Sequence, residues 1–239
     1  MRTVKIKSGL LVILCLLCLE ACTSTGSSRE IREVESGVFI FKSPTNEKSV
    51  DRLIGIIRRS PNRATTLILN SGGEEIHSAL KLGSYLAEKQ LNIIVREFCA
   101  SSCANYLLTA GRSVLVEKDA LIGWHGGALQ TVYIKSDINP RPIAWYAKER
   151  HFFEKTGVNQ AITILGMMPA LNTLRDADLY SYDIETLRAL GLNIEFESKQ
   201  IENNSNGDKK VQIFKLADGM LDGLLQQHYT VMRGLPISE

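Results

Sequence analysis

Two adjacent serines, Ser101 and Ser102, stand between Cys99 and Cys103 in the stretch REFCASSCANYLLTAG, residues 96–111. The stretch runs directly into an apolar segment with helical spacing, so the serines are expected at a helix N-terminus. Backbone N–H groups without intrahelical partners favour negative charge at that place, which suits a hydroxyl that acts as a nucleophile. The alternative from the same residues is a serine that only caps the helix.

The chain has four histidines, and His125 follows the short apolar segment ALIGW at 120–124. An imidazole hydrogen-bonded to a serine hydroxyl accepts its proton while the oxygen attacks a carbonyl carbon. A histidine at a strand end is otherwise a structural residue. No two histidines have ligand spacing together with a carboxylate or cysteine partner, so neither a metal site nor a cofactor is predicted.

The first residues predict the compartment of the protein. MRTVKIK is a short positive segment, and Gly9 to Leu19 is an unbroken apolar run of 11 residues, as in a signal peptide. A transmembrane helix needs about 20 such residues, so this run is too short to span a bilayer. Removing residues 1–21 takes away three basic residues and one acidic residue and lowers the formal net charge from +2 to zero. The neutral remainder gives no reason to expect a nucleic-acid partner.

The segment LEAC after the apolar run resembles the lipobox of bacterial lipoproteins, with Cys22 as the acylated first residue of the mature chain. Glu20 departs from that pattern, and secretion without a lipid is the alternative. The resemblance implies a protein anchored in the bacterial cell envelope and facing the periplasm, because thioether-linked acyl chains supply a stable anchor. Thr23 is not the acidic residue that often retains lipoproteins in the inner membrane, which favours the outer membrane.

The lipid and the signal peptide account for three of the five cysteines and leave Cys99 and Cys103. In an oxidising envelope two thiols this close are expected to form a disulfide. Residues four apart in a regular helix have Cβ atoms about 5 to 6 Å apart, too far for that bond, so Cys99 is expected outside the helix. Two buried thiols are the alternative.

Apolar periodicity predicts the order of strands and helices. Strands are expected at 38–41, 65–70, 91–95, 113–116 and 120–124, and helices at 50–57, 74–88, 104–110, 142–155, 158–168 and 183–190. Alternation of this kind predicts an α/β domain with mainly parallel strands flanked by helices.

Composition predicts the remaining organisation of the chain. The expected parts are a flexible tether at 22–36, one domain at 37–200, a mobile flap at 126–141, a loop at 202–210, and a C-terminal extension over 201–239 that forms a strand and a helix. The extension is expected to pack on the domain or on a partner subunit.

Three motifs occur in the order found in the ClpP/crotonase superfamily: LILNSGG, the serine stretch ending LLTAG, and ALIGWHGG. The chain resembles the serine-peptidase branch of that superfamily, the Clp proteolytic subunit, from about Gly37 to Phe196, and its C-x-S-x-C motif resembles a group of periplasmic ClpP-like proteins. The resemblance implies repeated β-β-α and βαβ units around a mainly parallel sheet. It also implies a homo-oligomer, for which the helix at 142–155 and the tail are candidate surfaces.

The resemblance also implies roles for individual residues. The family pattern S-x-G-x-x-L-L-x-A-G places the nucleophile on Ser102, with an alanine in place of the glycine, and Ser101 is its immediate neighbour. The general base falls on His125. The oxyanion donors fall on the backbone amides of Gly72 and Cys103, although the NSGG turn lacks the proline that the family has before the first glycine.

The orienting acid of the implied triad falls on Asp178 if one residue is gapped, and Asp176 and Asp183 are the alternatives. The implied function is an envelope-anchored serine hydrolase, a peptidase acting on peptides or proteins, in which a Cys99–Cys103 bridge fixes the serine turn. The alternative is a catalytically degenerate lipoprotein that binds peptides or partner proteins. Acyl-CoA chemistry fits less well, because coenzyme A is not expected outside the cytoplasm.

Overall fold

A computed structural model of the protein describes residues 29–134, 145–198, 203–206 and 209–234. The predicted signal peptide and Cys22 lie outside these residues. The ten strands in the described ranges are β1 (Glu30–Glu35), β2 (Val38–Lys42), β3 (Thr66–Ser71), β4 (Asn92–Ala100), β5 (Val114–Val116), β6 (Leu121–Gly123), β7 (Leu179–Tyr182), β8 (Ile194–Phe196), β9 (Asn203–Asn206) and β10 (Lys209–Phe214).

The helices in the same ranges are of three kinds. The α-helices are α1 (Glu47–Arg59), α2 (Ile76–Lys89), α3 (Gln130–Ile134), α4 (Tyr146–Thr156), α5 (Pro169–Asn172), α6 (Ile184–Ala189) and α7 (Met220–Arg233). The serine stretch continues into a π-helix, Cys103–Leu108, and two 3₁₀ helices, Gln160–Thr163 and Leu165–Met167, replace the single helix predicted at 158–168. None of these helices is long and apolar enough to cross a membrane.

The main sheet has the strand order β1-β2-β3-β4-β5-β8, with β6 paired to the second half of β4. All of its pairs are parallel except β1 with β2, which is antiparallel. The buried run Leu67–Leu69 in β3 is typical of a strand covered on both faces. The structure thus confirms an α/β fold with a mostly parallel sheet flanked by helices.

Strands β3, β4 and β6 end side by side at one edge of this sheet. Ser71 pairs with Cys99, and Ala100 pairs with Gly123, so the segments that follow the three strands emerge next to one another. Ligands of open α/β sheets bind outside the carboxyl ends of the strands. The three motifs singled out in the sequence therefore meet at the edge where a site is expected.

The helices beside this edge are held by local capping and by apolar stripes. The Asn46 side chain accepts the Ser49 N–H, and the Ser49 hydroxyl accepts the Asn46 N–H, which forms a capping box at the start of α1. Val50, Leu53 and Ile57 are buried on one face of α1, and such burial contributes about 1.5 to 3 kcal/mol per side chain. Helix α2 packs against α1, α4 and the π-helix.

A smaller sheet, in the order β7-β10-β9, adjoins the main one. Strand β10 runs parallel to β7 and antiparallel to β9. Trp124, directly after β6, exchanges two backbone hydrogen bonds with Tyr180 of β7, at 2.7 and 2.9 Å. Residues 209–214 of the C-terminal extension therefore pack on the body of the protein, as one of the two predicted alternatives had it.

Three predictions about irregular segments were wrong in part. The tether predicted at 22–36 is too long, because Glu30–Glu35 forms the edge strand β1 with Ile31 buried. The first part of the predicted flap is not a flap, since residues 126–129 are buried and α3 follows them; residues 135–144 lie outside the described residues. The polar loop contains β9 and the start of β10, where hairpin pairing overrides composition.

Candidate active site

The turn after β4 places Ser101 at the start of the π-helix. Its backbone has φ of +58°, a left-handed conformation uncommon for a residue with a side chain. The Ser101 N–H donates to the Gly123 carbonyl at 3.0 Å, and its carbonyl accepts the Asn105 N–H at 2.8 Å. Strained backbone of this kind persists only where the surroundings fix it, and it concentrates at functional sites.

The structure pairs His125 with Ser101. The His125 Nε2 lies 2.7 Å from the Ser101 Oγ, which is a short and direct hydrogen bond. Ser101 is partly exposed and His125 is exposed, so a substrate can reach both. The bridge between Trp124 and Tyr180 fixes the backbone immediately before His125.

Ser102, the predicted nucleophile, is not joined to His125. Its side chain is buried, and its Oγ lies 3.0 Å from the Thr45 Oγ1 and accepts the Glu74 N–H at 2.9 Å. The one-residue displacement has a physical reason: counting back from LLTAG assumes a regular helix, whereas the π-helix holds an extra residue. The geometry therefore moves the candidate nucleophile from Ser102 to Ser101.

Three backbone amides near Ser101 have no hydrogen-bond partner within the described residues: those of Gly72, Ser102 and Cys103. The predicted donors were Gly72 and Cys103, the latter as the residue after the nucleophile. With Ser101 as nucleophile, the following amide is that of Ser102. Unpaired N–H groups of this kind are what a developing oxyanion requires.

The turn that carries Gly72 packs directly on the serine turn. Gly73 has φ of +82°, and a Cβ there would stand 2.7 Å from the Ser102 Oγ and 2.8 Å from the Ser102 nitrogen. Only glycine fits this conformation and this contact. The missing proline in NSGG therefore does not prevent a close approach of the two turns.

The predicted disulfide between Cys99 and Cys103 is present, with a Cα–Cα distance of 5.4 Å. Cys99 lies in β4, outside the helix, as the spacing argument required. Both cysteines are fully buried. The bond joins the end of the strand to the first residue of the π-helix and so spans both ends of the Ser101–Ser102 turn.

Asp178, the predicted orienting acid, is exposed and precedes β7. Within the described residues no hydrogen bond or ion pair joins it to His125. The alternatives have other partners: Asp176 pairs with Lys210 at 2.7 Å, and Asp183 caps α6 by accepting the Thr186 N–H. Of the three predicted triad residues, only His125 therefore contacts a serine hydroxyl within the described residues, and that serine is Ser101 rather than Ser102.

The sequence analysis missed a buried carboxylate, that of Glu149, beside the segment that follows His125. Glu149 of α4 is fully buried and accepts hydrogen bonds from the Tyr106 hydroxyl, the Gln160 amide and the Ala128 N–H, at 2.7 to 3.0 Å. Burial raises the pKa of Glu149, and the three donors partly offset that effect. Its signal was an acidic residue three and four positions before the apolar pair Phe152–Phe153, on the buried face of a helix.

The segment after His125 is anchored from below by this cluster and by Asn105. The Asn105 amide donates to the Gly126 carbonyl at 2.9 Å, and Glu149 holds Ala128. A side chain on Gly127 would collide with Glu149 and Thr163, so this glycine makes room for interior packing.

Comparisons with known proteins return no match, either among family models or among curated proteins. Among the described residues there is also no group of three or more histidine, cysteine or acidic side chains arranged to hold a metal ion. The fold and the pair of Ser101 with His125 are therefore the basis for a functional inference.

Proposed function

We propose that this protein is a serine hydrolase of the bacterial cell envelope that cleaves peptides, with Ser101 as nucleophile and His125 as general base. The observation that carries the proposal is the 2.7 Å contact between the His125 Nε2 and the Ser101 Oγ. It lies at the carboxyl edge of a mostly parallel sheet, between two turns in which the amides of Gly72 and Ser102 have no partner within the described residues.

The contact has the form that nucleophile activation needs. For His125 to act as base, its Nε2 must accept the Ser101 hydroxyl hydrogen, so the ring proton resides on Nδ1. The left-handed backbone of Ser101 turns its side chain out of the strand direction towards the end of β6. A nucleophile and a base within hydrogen-bonding reach are the minimal pair for acyl transfer.

The unpaired amides supply the second requirement. As the Ser101 Oγ adds to a carbonyl carbon, its proton passes to the His125 Nε2 and the carbonyl oxygen becomes an oxyanion. The N–H groups of Gly72 and Ser102 are the donors for that oxygen. When the adduct collapses, the C–N bond breaks and His125 gives the proton to the leaving amine. Water then attacks the acyl-enzyme with His125 again as base, and the Ser101 Oγ leaves and regains a proton.

The fold supports placing the chain near the ClpP/crotonase superfamily. Successive units β3-α2-β4 and β4-π-helix-β5 are parallel crossovers, which is compatible with the βαβ units that the resemblance implies. The peptide substrate, the periplasmic location, the lipid on Cys22 and a homo-oligomer belong to this proposal through the same resemblance. None of them adds to the geometric argument for Ser101.

Labelling with a fluorophosphonate probe tests the proposal. The oxidised wild type is expected to be labelled on Ser101, and Ser101→Ala is expected to lose the label while remaining folded by circular dichroism. Ser102→Ala is the matched control, because it removes the adjacent hydroxyl and should still be labelled. Loss of label in Ser102→Ala but not in Ser101→Ala would assign the nucleophile to Ser102.

A second candidate function is a peptide-binding protein with a degenerate triad. The observation that favours it is the absence, within the described residues, of a carboxylate bonded to His125. An unlabelled, folded and oxidised wild type that still binds peptides in calorimetry would favour this candidate over the hydrolase.

A further inference from the structure

Ser102 is poorly placed to act as a nucleophile and well placed to hold neighbouring segments of the chain together. Its side chain is only 2% exposed, and its Oγ is engaged by two partners on different segments. Thr45 comes from the segment between β2 and α1, and Glu74 comes from the turn after β3. The hydroxyl therefore ties the serine turn to two other parts of the chain.

The segments tied by Ser102 are also joined to each other. The Thr45 N–H donates to the Gly73 carbonyl at 3.2 Å, and the Glu75 N–H donates to the Thr45 carbonyl at 3.1 Å. Thr45 is fully buried, so water cannot replace the Ser102 hydroxyl as its hydrogen-bond partner. A buried hydroxyl that loses its partner costs about 1 to 3 kcal/mol, which favours keeping the three segments together.

The turn that Ser102 holds needs an external restraint. Gly73 and Glu74 have φ of +82° and +156°, and Glu74 is not a glycine. Backbone in such regions persists only where the surroundings fix it. The bond from the Glu74 N–H to the Ser102 Oγ is a restraint of that kind, two residues from the unpaired amide of Gly72.

We propose that Ser102 is a positioning residue, whose hydroxyl holds the Gly72–Glu74 turn against the serine turn and so aims the Gly72 amide at the oxyanion. This inference rests on the proposed function, because the oxyanion belongs to attack by Ser101. Thr45 completes the arrangement by fixing the orientation of the Ser102 hydroxyl. The adjacent serines thus have separate tasks, one reacting and one shaping the donor site.

The test measures the turn and the chemistry separately in Ser102→Ala. Amide hydrogen exchange followed by NMR reads the turn without any activity: the Glu74 amide is expected to lose protection, while amides of α1 keep theirs. The rate constant for phosphonylation by the fluorophosphonate probe reads the donor site, and about a 10-fold to 100-fold fall is expected. Removal of a whole oxyanion donor costs more, about 10² to 10³.

The pH profile of that rate distinguishes positioning from general loosening. The plateau is expected to fall in Ser102→Ala while the midpoint stays in place, because the Ser101–His125 pair is untouched. Thr45→Val should lower the plateau less, and Thr45→Ser, which keeps the hydroxyl, should restore it.

Each contrary outcome has a distinct meaning. Unchanged exchange at Glu74 overturns the positioning role even if the protein proves to be no hydrolase. Lost protection with an unchanged phosphonylation rate also overturns it, because the turn would then not serve the oxyanion. Labelling that persists in Ser101→Ala overturns the proposed nucleophile instead, and labelling lost entirely in Ser102→Ala alone overturns both.

Discussion

The serine turn contacts the segment that carries His125 at His125 itself, whereas the Glu149 cluster contacts it at Ala128, and the polar groups of the two regions differ in how they are paired. At the turn, the amides of Gly72 and Ser102 are unpaired within the described residues, and His125 is exposed. In the cluster, the carboxylate of Glu149 is fully buried and has three donors.

The difference separates groups kept for a ligand from groups that support the backbone. An unpaired N–H at the surface, such as that of the exposed Gly72, costs little, since water pairs with it until a substrate does, whereas an unpaired carboxylate in the interior costs several kcal/mol. Substitutions at the turn should therefore reduce activity with little loss of stability. Substitutions in the cluster should reduce stability first.

The largest effect is expected for His125→Ala. Loss of the base in a serine hydrolase lowers turnover by roughly 10⁴ to 10⁶, and the folded state should be nearly unaffected because the side chain is exposed. Phosphonylation kinetics and urea unfolding measure the two quantities. His151→Ala is the control, since that side chain is 81% exposed on α4 and remote from the serine turn in sequence. Equal rates in both variants would remove His125 from the mechanism.

A smaller effect is expected when the disulfide is opened by mild reduction or by Cys99→Ser. The serine turn loses one of its ties, the Ser102 amide shifts, and transition-state stabilisation should fall by about 2.7 to 4 kcal/mol, the scale of one lost oxyanion donor. Stability should change less, because the closed loop is very short. Cys103→Ser and the double variant should match Cys99→Ser. Two alkylated thiols in unreduced material from the envelope would contradict the premise.

These variants bear on how far the sequence predicts the site. Motif order located all three segments correctly, because strand ends in a parallel sheet converge whatever the loops do. The choice between Ser101 and Ser102 required the helix type, and a π-helix has no sequence signature as firm as a cap or a proline. The midpoint of the C-x-S-x-C motif is Ser101, and this symmetry was the one available signal.

The predictions of secondary structure were most accurate where the sequence has a long apolar period. They were least accurate where pairing with another strand determines whether a segment forms a strand. Helices α1 and α2 and strands β2 to β6 match their predicted places within a few residues, apart from the longer carboxyl end of β4. Strands β1 and β9 have polar sequences, EIREVE and NNSN, and are strands because a neighbour supplies their hydrogen bonds. Such pairing is a tertiary effect that local composition does not contain.

In the cluster, Glu149→Gln should lower the free energy of unfolding by about 3 kcal/mol. The new amide has one acceptor oxygen instead of two: if it keeps the Gln160 and Ala128 donors, its N–H₂ group faces the Tyr106 hydroxyl, which then loses its acceptor. Buried groups left unsatisfied in this way cost about 1 to 3 kcal/mol each. Urea unfolding measures the change. Glu154→Gln is the matched control on the same helix, because Glu154 is exposed and its pair with Arg150 is worth little. Similar losses in both would contradict the contrast between turn and cluster.

The smallest effect is expected for pH. His228 of α7 is buried beside the Tyr133 hydroxyl, at 2.7 Å from Nδ1, and burial lowers the pKa of His228 to about 4. Below pH 6.5 the unfolded chain binds a proton that the folded chain does not, so stability falls as pH falls from 6.5 towards 4. Between pH 7 and pH 5 the loss is about 2 kcal/mol. His228→Gln should reduce this loss in urea titrations at the two pH values, and an identical loss would exclude His228 as its source.

During synthesis of the chain, strand β10 is added well after His125 and the residues around it. It lies between β7 and β9, and Tyr180 of β7 is hydrogen-bonded to Trp124, the residue before His125. A nascent chain that has reached β8 therefore has its serine turn but lacks the strand that completes the neighbouring sheet. The sheet that holds the residue before His125 is therefore complete only when residues 209–214 have joined it.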